Sequence, residues 1–192
     1  MLESILEQYP KEIALKDGFR CAVRPLDESD ERCFLDFFLA VPEQERMFIK
    51  HRVTQPEVIR DWCQNIDLGR NLPLLAFAED RIIAASTLHQ QLGGWKRHIG
   101  RVSVLVHPRY RGRGLAKALV SEVVEIARHI GLEKVEAEFI AQQEQAIRVF
   151  SLLGFAPLVR LADYVKDMQA VSHDYVMLSL DLDTDEEYAG ME

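Results

Sequence analysis

No run of apolar residues in this chain approaches the roughly 20 needed to cross a bilayer, so no transmembrane helix is expected. Cysteine is scarce. Cys21, Cys33 and Cys63 are too few and too unevenly spaced for a disulfide framework or a zinc site. They read as small apolar residues, no metal is expected, and a reducing cytoplasm is the expected home. The opening, MLESILEQYPKE, carries acids and lacks a basic segment, so no secretory leader is expected there. No internal repeat, low-complexity stretch or Pro/Gly/Ser-rich linker divides the 192 residues, a length that suits one domain with a sizeable core. Basic charge is also short: 23 Lys and Arg stand against 31 Asp and Glu, a net charge of −8. A nucleic-acid surface needs a basic face, and none is expected here.

One further absence is local. From Arg81 to Ser121, 41 residues hold no Asp or Glu, yet they contain Arg81, Lys96, Arg97, Arg101, Arg109, Arg111, Arg113 and Lys117. In so acidic a chain this window points to a site for a small anion.

What is present reads as a mixed α/β sheet. Leu2 to Tyr9 has a helical pattern, part of a helical extension over 1–18. Phe19 to Pro25 alternates as a strand, and Asp27 or Ser29 can cap a helix carrying Phe34, Leu35, Phe37 and Phe38 as core. Thr54 and Pro56 open a second helix to about Asn65. Leu74–Glu79 and Arg81–His89 form a hairpin around Glu79–Asp80, followed by a turn at Gly93–Gly94. Arg101–His107 is a strand, and Leu115 to Ile130 a long helix stopped by Gly131. Lys134–Ile140 is a strand, Gln143–Leu153 a helix stopped by Gly154, and two strands follow near Phe155–Tyr164 and His173–Leu182. The main domain thus spans 19–182, and 183–192 is an acidic tail expected to be mobile.

The chemistry concentrates in Val102–Val120, VSVLVHPRYRGRGLAKALV. A strand ends, a short turn follows, and Gly112 and Gly114 lead into a helix. Glycines there leave backbone N–H groups unscreened, and the first turn of a helix offers unpaired N–H groups and the positive end of its dipole. Such a loop cradles phosphate, and the three arginines around it can fork onto phosphate oxygens. A Walker loop is excluded, because Lys117 is not preceded by glycine and Ala118 follows it. A dinucleotide fingerprint asks for glycine where Lys117 stands and for its first glycine directly after the strand. Glu136 and Glu138 do lie at the distance of a ribose-binding acid, so a nicotinamide-nucleotide binder stays open.

The segment Arg109-Tyr110-Arg111-Gly112-Arg113-Gly114 resembles the R/Q-x-x-G-x-G/A motif of the GNAT (Gcn5-related N-acetyltransferase) superfamily. The preceding strand and following helix sit where that family has them. Gln143 to Phe155 is similar to its later helix, N-x-x-A-x-x-[LV]-Y-x-x-x-G-F, with Ala146, Val149, Gly154 and Phe155 in place. A looser likeness runs to bacterial protein-lysine acetyltransferase domains, which carry a catalytic Glu where this chain has Arg101.

The resemblance implies the acyl-CoA N-acyltransferase fold, a mostly antiparallel sheet with two splayed parallel central strands. It implies acetyl-CoA as cosubstrate and transfer of the acetyl group to a primary amine, of a small molecule or a protein, by direct attack, in a monomer or homodimer. A non-catalytic acyl-CoA sensor is the alternative. By the same resemblance the backbone of Leu105 and Val106 would pair with the pantetheine arm, with an N–H near Leu105 stabilising the oxyanion. The backbone of Arg111, Gly112, Arg113, Gly114, Leu115 and Ala116 would hold the pyrophosphate, Arg109 or Lys117 the outer phosphates, and Gln143 replaces the helix-starting Asn. The usual helix tyrosine is Phe150, so Tyr164 or Tyr175 would have to supply an acid. For the base, Glu138 is the candidate: it shares one face of VEAEF with Glu136, and two neighbouring carboxylates favour a proton-holding form. A solvated strand face is the other reading of the pair. His89 is a further candidate base, and Lys96, Arg97 and His98 beside Trp95 read as a solvated loop.

Overall fold

Alternation along the strands decides which layer each side chain joins. In the computed structural model, which describes residues 2–47, 49 and 51–183, β1 (Lys11–Ala14), β2 (Arg20–Pro25), β3 (Asn71–Ala78), β4 (Arg81–Gln90), β5 (Ile99–Val106), β6 (Lys134–Ile140), β7 (Ala156–Lys166) and β8 (Ser172–Asp181) form one sheet. Their order is β1-β2-β3-β4-β5-β6-β8-β7. Every neighbouring pair is antiparallel except β5 and β6. One parallel pair in an antiparallel sheet removes the doubly wound, nicotinamide-nucleotide alternative.

On β3, Leu72, Leu74 and Ala76 face a core built with α5 (Leu115–His129) and α6 (Glu144–Ser151). Leu75 and Phe77 face the opposite core, with α2 (Glu31–Ala40) and α4 (Pro56–Gln64). Phe34, Phe37 and Phe38 are buried in this second core, as their helical spacing predicts. A short α3 (Glu43–Arg46), which the periodicity does not announce, links α2 to α4. Asp27 supplies the cap before α2 through a capping box with Asp30, and Ser29 does not.

Within the 1–18 extension the helix is shorter than the expected Leu2 to Tyr9. Only α1 (Leu2–Leu6) is helical, and Lys11–Ala14 joins the sheet as its edge strand. Ile5 is buried against the α5 side, and Tyr9 Oη and Lys11 Nζ both donate to Glu122 at 2.9 Å. At the other end, α5 closes at Gly131 with the paired hydrogen bonds Leu132 N–H to Ala127 and Gly131 N–H to Arg128. The acidic tail lies, apart from Asp183, outside the described residues. No helix among the described residues is long and apolar enough to cross a membrane.

Candidate active site

The parallel pair is short. β5 and β6 are in register only at Ile99–Lys134, Gly100–Val135 and Arg101–Glu136; beyond Arg101 the strands part, while β5 stays on β4 as far as Ala84–Val106. The split has a defined chemical edge. His107 N–H donates to the Ile83 carbonyl at 2.9 Å, and backbone groups alternate along an antiparallel ladder. Leu105 therefore spends its amide on β4. Val104 and Val106 turn theirs to the opening, and the Val106 carbonyl there accepts from Arg111 Nε at 3.1 Å. The Leu105 amide thus points away from the opening, where an oxyanion donor was expected, and the Val106 peptide group points into it. A count by twos from any ladder hydrogen bond would have found it, but a sequence shows no ladder.

At the far end of β5, His107 opens a single turn over Pro108–Tyr110 and its ring accepts from Arg109 N–H at 3.2 Å. The His107 pKa is lowered by burial first and then by Arg109, Arg111 and Arg81. Gly112 and Gly114 have φ of +78° and +89°, a region costly for residues with a Cβ, and α5 begins with no side-chain cap. The space where their side chains would stand is open. The N–H groups of the first turn of α5, at Leu115, Ala116 and Lys117, are of the kind that a helix leaves without partners of its own.

The loop arginines separate. Arg111 forms a bidentate pair with Glu45 of α3, both contacts at 2.8 Å. Arg113 reaches Asp17 at 3.2 Å and lies over the Phe19 ring, 4.9 Å from its centre. Arg109 stays exposed and lines a cleft of about 320 Å³ with Cys33, Asp36, Phe37, Asp80 and Arg81. Across the opening, Gln143 precedes α6, and its Oε1 accepts from Ile140 N–H at 2.9 Å, bracing the end of β6.

The carboxylates stand at the root of the split on the face away from α5. Glu138 accepts from Arg101 Nη1 at 3.2 Å and from Tyr175 Oη at 3.1 Å. Glu136 lies 3.6 Å from Lys96 Nζ. Each carboxylate has its own cation, so the like-charge pair expected from VEAEF is divided into two ion pairs. Beside them His89 Nδ1 is 2.7 Å from Asn71 Oδ1 and its Nε2 3.4 Å from Ser103 Oγ. Asn71, His89, Lys96, Arg101, Glu136 and Glu138 line an open cleft of about 270 Å³.

Phe150 is buried, edge-on to Phe139 and Phe155 at 5.1 and 4.9 Å, and offers no proton. Of the two tyrosines considered in its place, Tyr175 reaches Glu138, and Tyr164 packs at a tilt against Tyr175, ring centres 5.6 Å apart. Burial, then the Glu138 charge and hydrogen bond, push the Tyr175 phenol above the usual tyrosine range. Among the described residues no three His, Cys, Asp or Glu side chains gather as metal ligands.

Residues 26–155 match the acetyltransferase (GNAT) family. The chain is 28% identical over 115 residues to an L-methionine sulfoximine/L-methionine sulfone acetyltransferase of Salmonella typhimurium, an alignment spanning 57% of this chain and 66% of that protein. It is 30% identical over 88 residues to the L-amino acid N-acyltransferase MnaT of Escherichia coli, spanning 43% of this chain and 49% of that one. The chain therefore spans about half to two thirds of these relatives. In fold it is similar to yncA, a putative acetyltransferase from Salmonella typhimurium solved with its cofactor acetyl-CoA. The TM-score is 0.73 at 19% identity over 90% of this chain and 98% of that one.

Proposed function

The chain belongs to the acetyltransferase (GNAT) family, and from that premise we propose that it is an acetyl-CoA-dependent N-acetyltransferase acting on the primary amine of a small molecule. The observation that carries this reading is the split between β5 and β6, open on one side to the Val104 and Val106 peptide groups and flanked by Glu138. The uncapped start of α5 lies at the outer end of the same strand.

The residues divide the work by what they have free. The Val106 peptide group extends the β5 edge to an amide-bearing pantetheine arm, once Arg111 leaves its carbonyl. The N–H groups from Arg111 to Ala116 hold the pyrophosphate, with Arg109 or Lys117 on outer phosphates. A Val104 or Val106 N–H stands where the carbonyl oxygen gains charge.

The acetyl thioester supplies the electrophile: the amine lone pair forms the C–N bond, the C–S bond breaks, thiolate leaves, and the extra proton that the new bond puts on the nitrogen passes to water. An alkyl ammonium has a pKa near about 10, so a proton must first go. Glu138 receives it. A thiolate of pKa about 8.5, by analogy with cysteine, leaves without an acid, which is consistent with Phe150 replacing the helix tyrosine.

Two relatives whose names specify amino acids or amino-acid analogues support a small-molecule acceptor over a protein. The three unpaired cysteines fit a reducing cytoplasm.

Glu138→Gln keeps the size of the side chain and removes its basicity. It is expected to lower kcat by at least about 100-fold, the lower range for a lost general base, while CoA affinity measured by calorimetry stays unchanged. Turnover equal to that of the parent chain would remove Glu138 as the base.

A further inference from the structure

The cleft at the root of the split is electrically paired in a way that selects among amines. On one floor stand two cations and two anions as neighbours: Arg101 with Glu138 at 3.2 Å, and Lys96 with Glu136 at 3.6 Å. Arg101 and Glu138 remain more than a third exposed and face the cleft. A ligand carrying only positive charge would gain Glu138 and at once meet Arg101, released from its partner and repelling it. A ligand carrying one charge of each sign replaces the Arg101–Glu138 contact with two contacts of its own and leaves the charge balance of the cleft unchanged.

Resting on the acetyl-transfer reading above, we propose that the acceptor is a zwitterion, an α-amino acid. Arg101 binds its carboxylate, and Glu138 holds and deprotonates its ammonium. The two substrate charges hang on one carbon, as the two protein charges stand on adjacent strands. Arg101 also has the right chemistry, since a guanidinium forks onto a carboxylate bidentately. At about 270 Å³ the cleft admits a small molecule. Asn71 and the His89 it hydrogen-bonds at 2.7 Å extend the polar floor beneath the rest of the ligand. The same arginine disfavours lysine side chains and polyamines, which bring cations without a carboxylate.

The test compares each of the L-amino acids with its own α-amide, which keeps the amine and loses the carboxylate. Thiol release from saturating acetyl-CoA is measured with the full chain. At least one acid is expected to exceed its amide in kcat/KM by roughly 10- to 100-fold, the range of a lost charge-assisted hydrogen bond. Arg101→Gln is expected to bring that ratio to about one, and Arg101→Lys, which keeps the charge and loses the fork, to an intermediate value. Amides used as well as acids, or a ratio that survives in Arg101→Gln, would overturn the assignment. So would preferential turnover of polyamines or lysine peptides, and this outcome would leave acetyl transfer itself standing. No thiol release with any amine, although acetyl-CoA binds by calorimetry, would overturn the transfer reading and this one with it.

Discussion

Tyr175 shows how much one side chain's neighbourhood decides. Its hydroxyl donates to Glu138 at 3.1 Å, and its phenol holds its proton beyond the ordinary tyrosine range, through burial first and the Glu138 charge second. Glu138 therefore has a protonated donor on one oxygen at every pH near neutrality. A phenol whose folded value is raised adds stability that is fully present below about pH 10, the unfolded value. That stability is lost as pH rises through the higher folded value. Denaturant unfolding between pH 9 and 12 is expected to show a steeper fall for the parent chain than for Tyr175→Phe. The same variant removes one hydrogen bond to the proposed base and is expected to lower kcat about fivefold, the equivalent of about 1 kcal/mol. Parallel pH curves for the two proteins would show that the hydroxyl carries no linkage.

Among the elements, the loop between β5 and α5 is fastened to parts of the chain far from it in sequence. Arg111 bridges to Glu45 on α3 with two contacts at 2.8 Å while its Nε occupies the Val106 carbonyl. A ligand that pairs with the β5 edge must displace that Nε. The exposed ion pair opposing this is worth about 0–1 kcal/mol, enough to tune affinity and too little to block the groove. Glu45→Gln is accordingly expected to tighten CoA binding by up to about fivefold in low salt. The gain should shrink as salt rises. Calorimetry at two ionic strengths checks both statements, and an unchanged dissociation constant would mean that Arg111 keeps its place when CoA binds.

For the whole molecule, the N-terminal segment belongs to the body of the protein. α1 lies along α5, with Ile5 in the main core, Ser4 3.2 Å from His129 near the end of α5, and Tyr9 on Glu122. Truncating Ile5 to Ala removes buried apolar volume at a chain end. It is expected to cost about 2 kcal/mol, the low end for such core substitutions. Because the contact is distant from the start of α5, acetyl-CoA affinity is expected to hold. Chemical denaturation and calorimetry on one preparation separate the two effects.

Much of this is legible in the amino-acid sequence. Periodicity placed α5 and β6 within a residue or two. Gly112 and Gly114 between a strand and a helix announce a left-handed turn into α5, because positive φ is a property of a few consecutive residues. The helix carrying Phe34 is announced by its apolar spacing, and α4 by Pro56 at its start. β1 is not: its four residues alternate too briefly to register, and they are a strand only because β2 lies beside them. The open edge of β5 was half legible. The split was implied by resemblance, but the choice between Leu105 and Val106 depends on which neighbour takes which amide.

The window from Arg81 to Ser121 joins the two kinds of knowledge. Sequence alone determined that 41 residues of an acidic chain carry cations and no acids, because composition is a linear property. Only the tertiary structure decided what those cations meet. Lys96, Arg101, Arg111 and Arg113 each pair with a carboxylate from outside the window: Glu136, Glu138, Glu45 and Asp17. Ion pairs form at distances of a few ångströms between residues as many as 96 positions apart, and chain order carries no information about such distances. The folding that spends these four cations on partners leaves Arg109 and Lys117 exposed beside the start of α5. It also sets Arg101 against Glu138 in the cleft where an acceptor would bind.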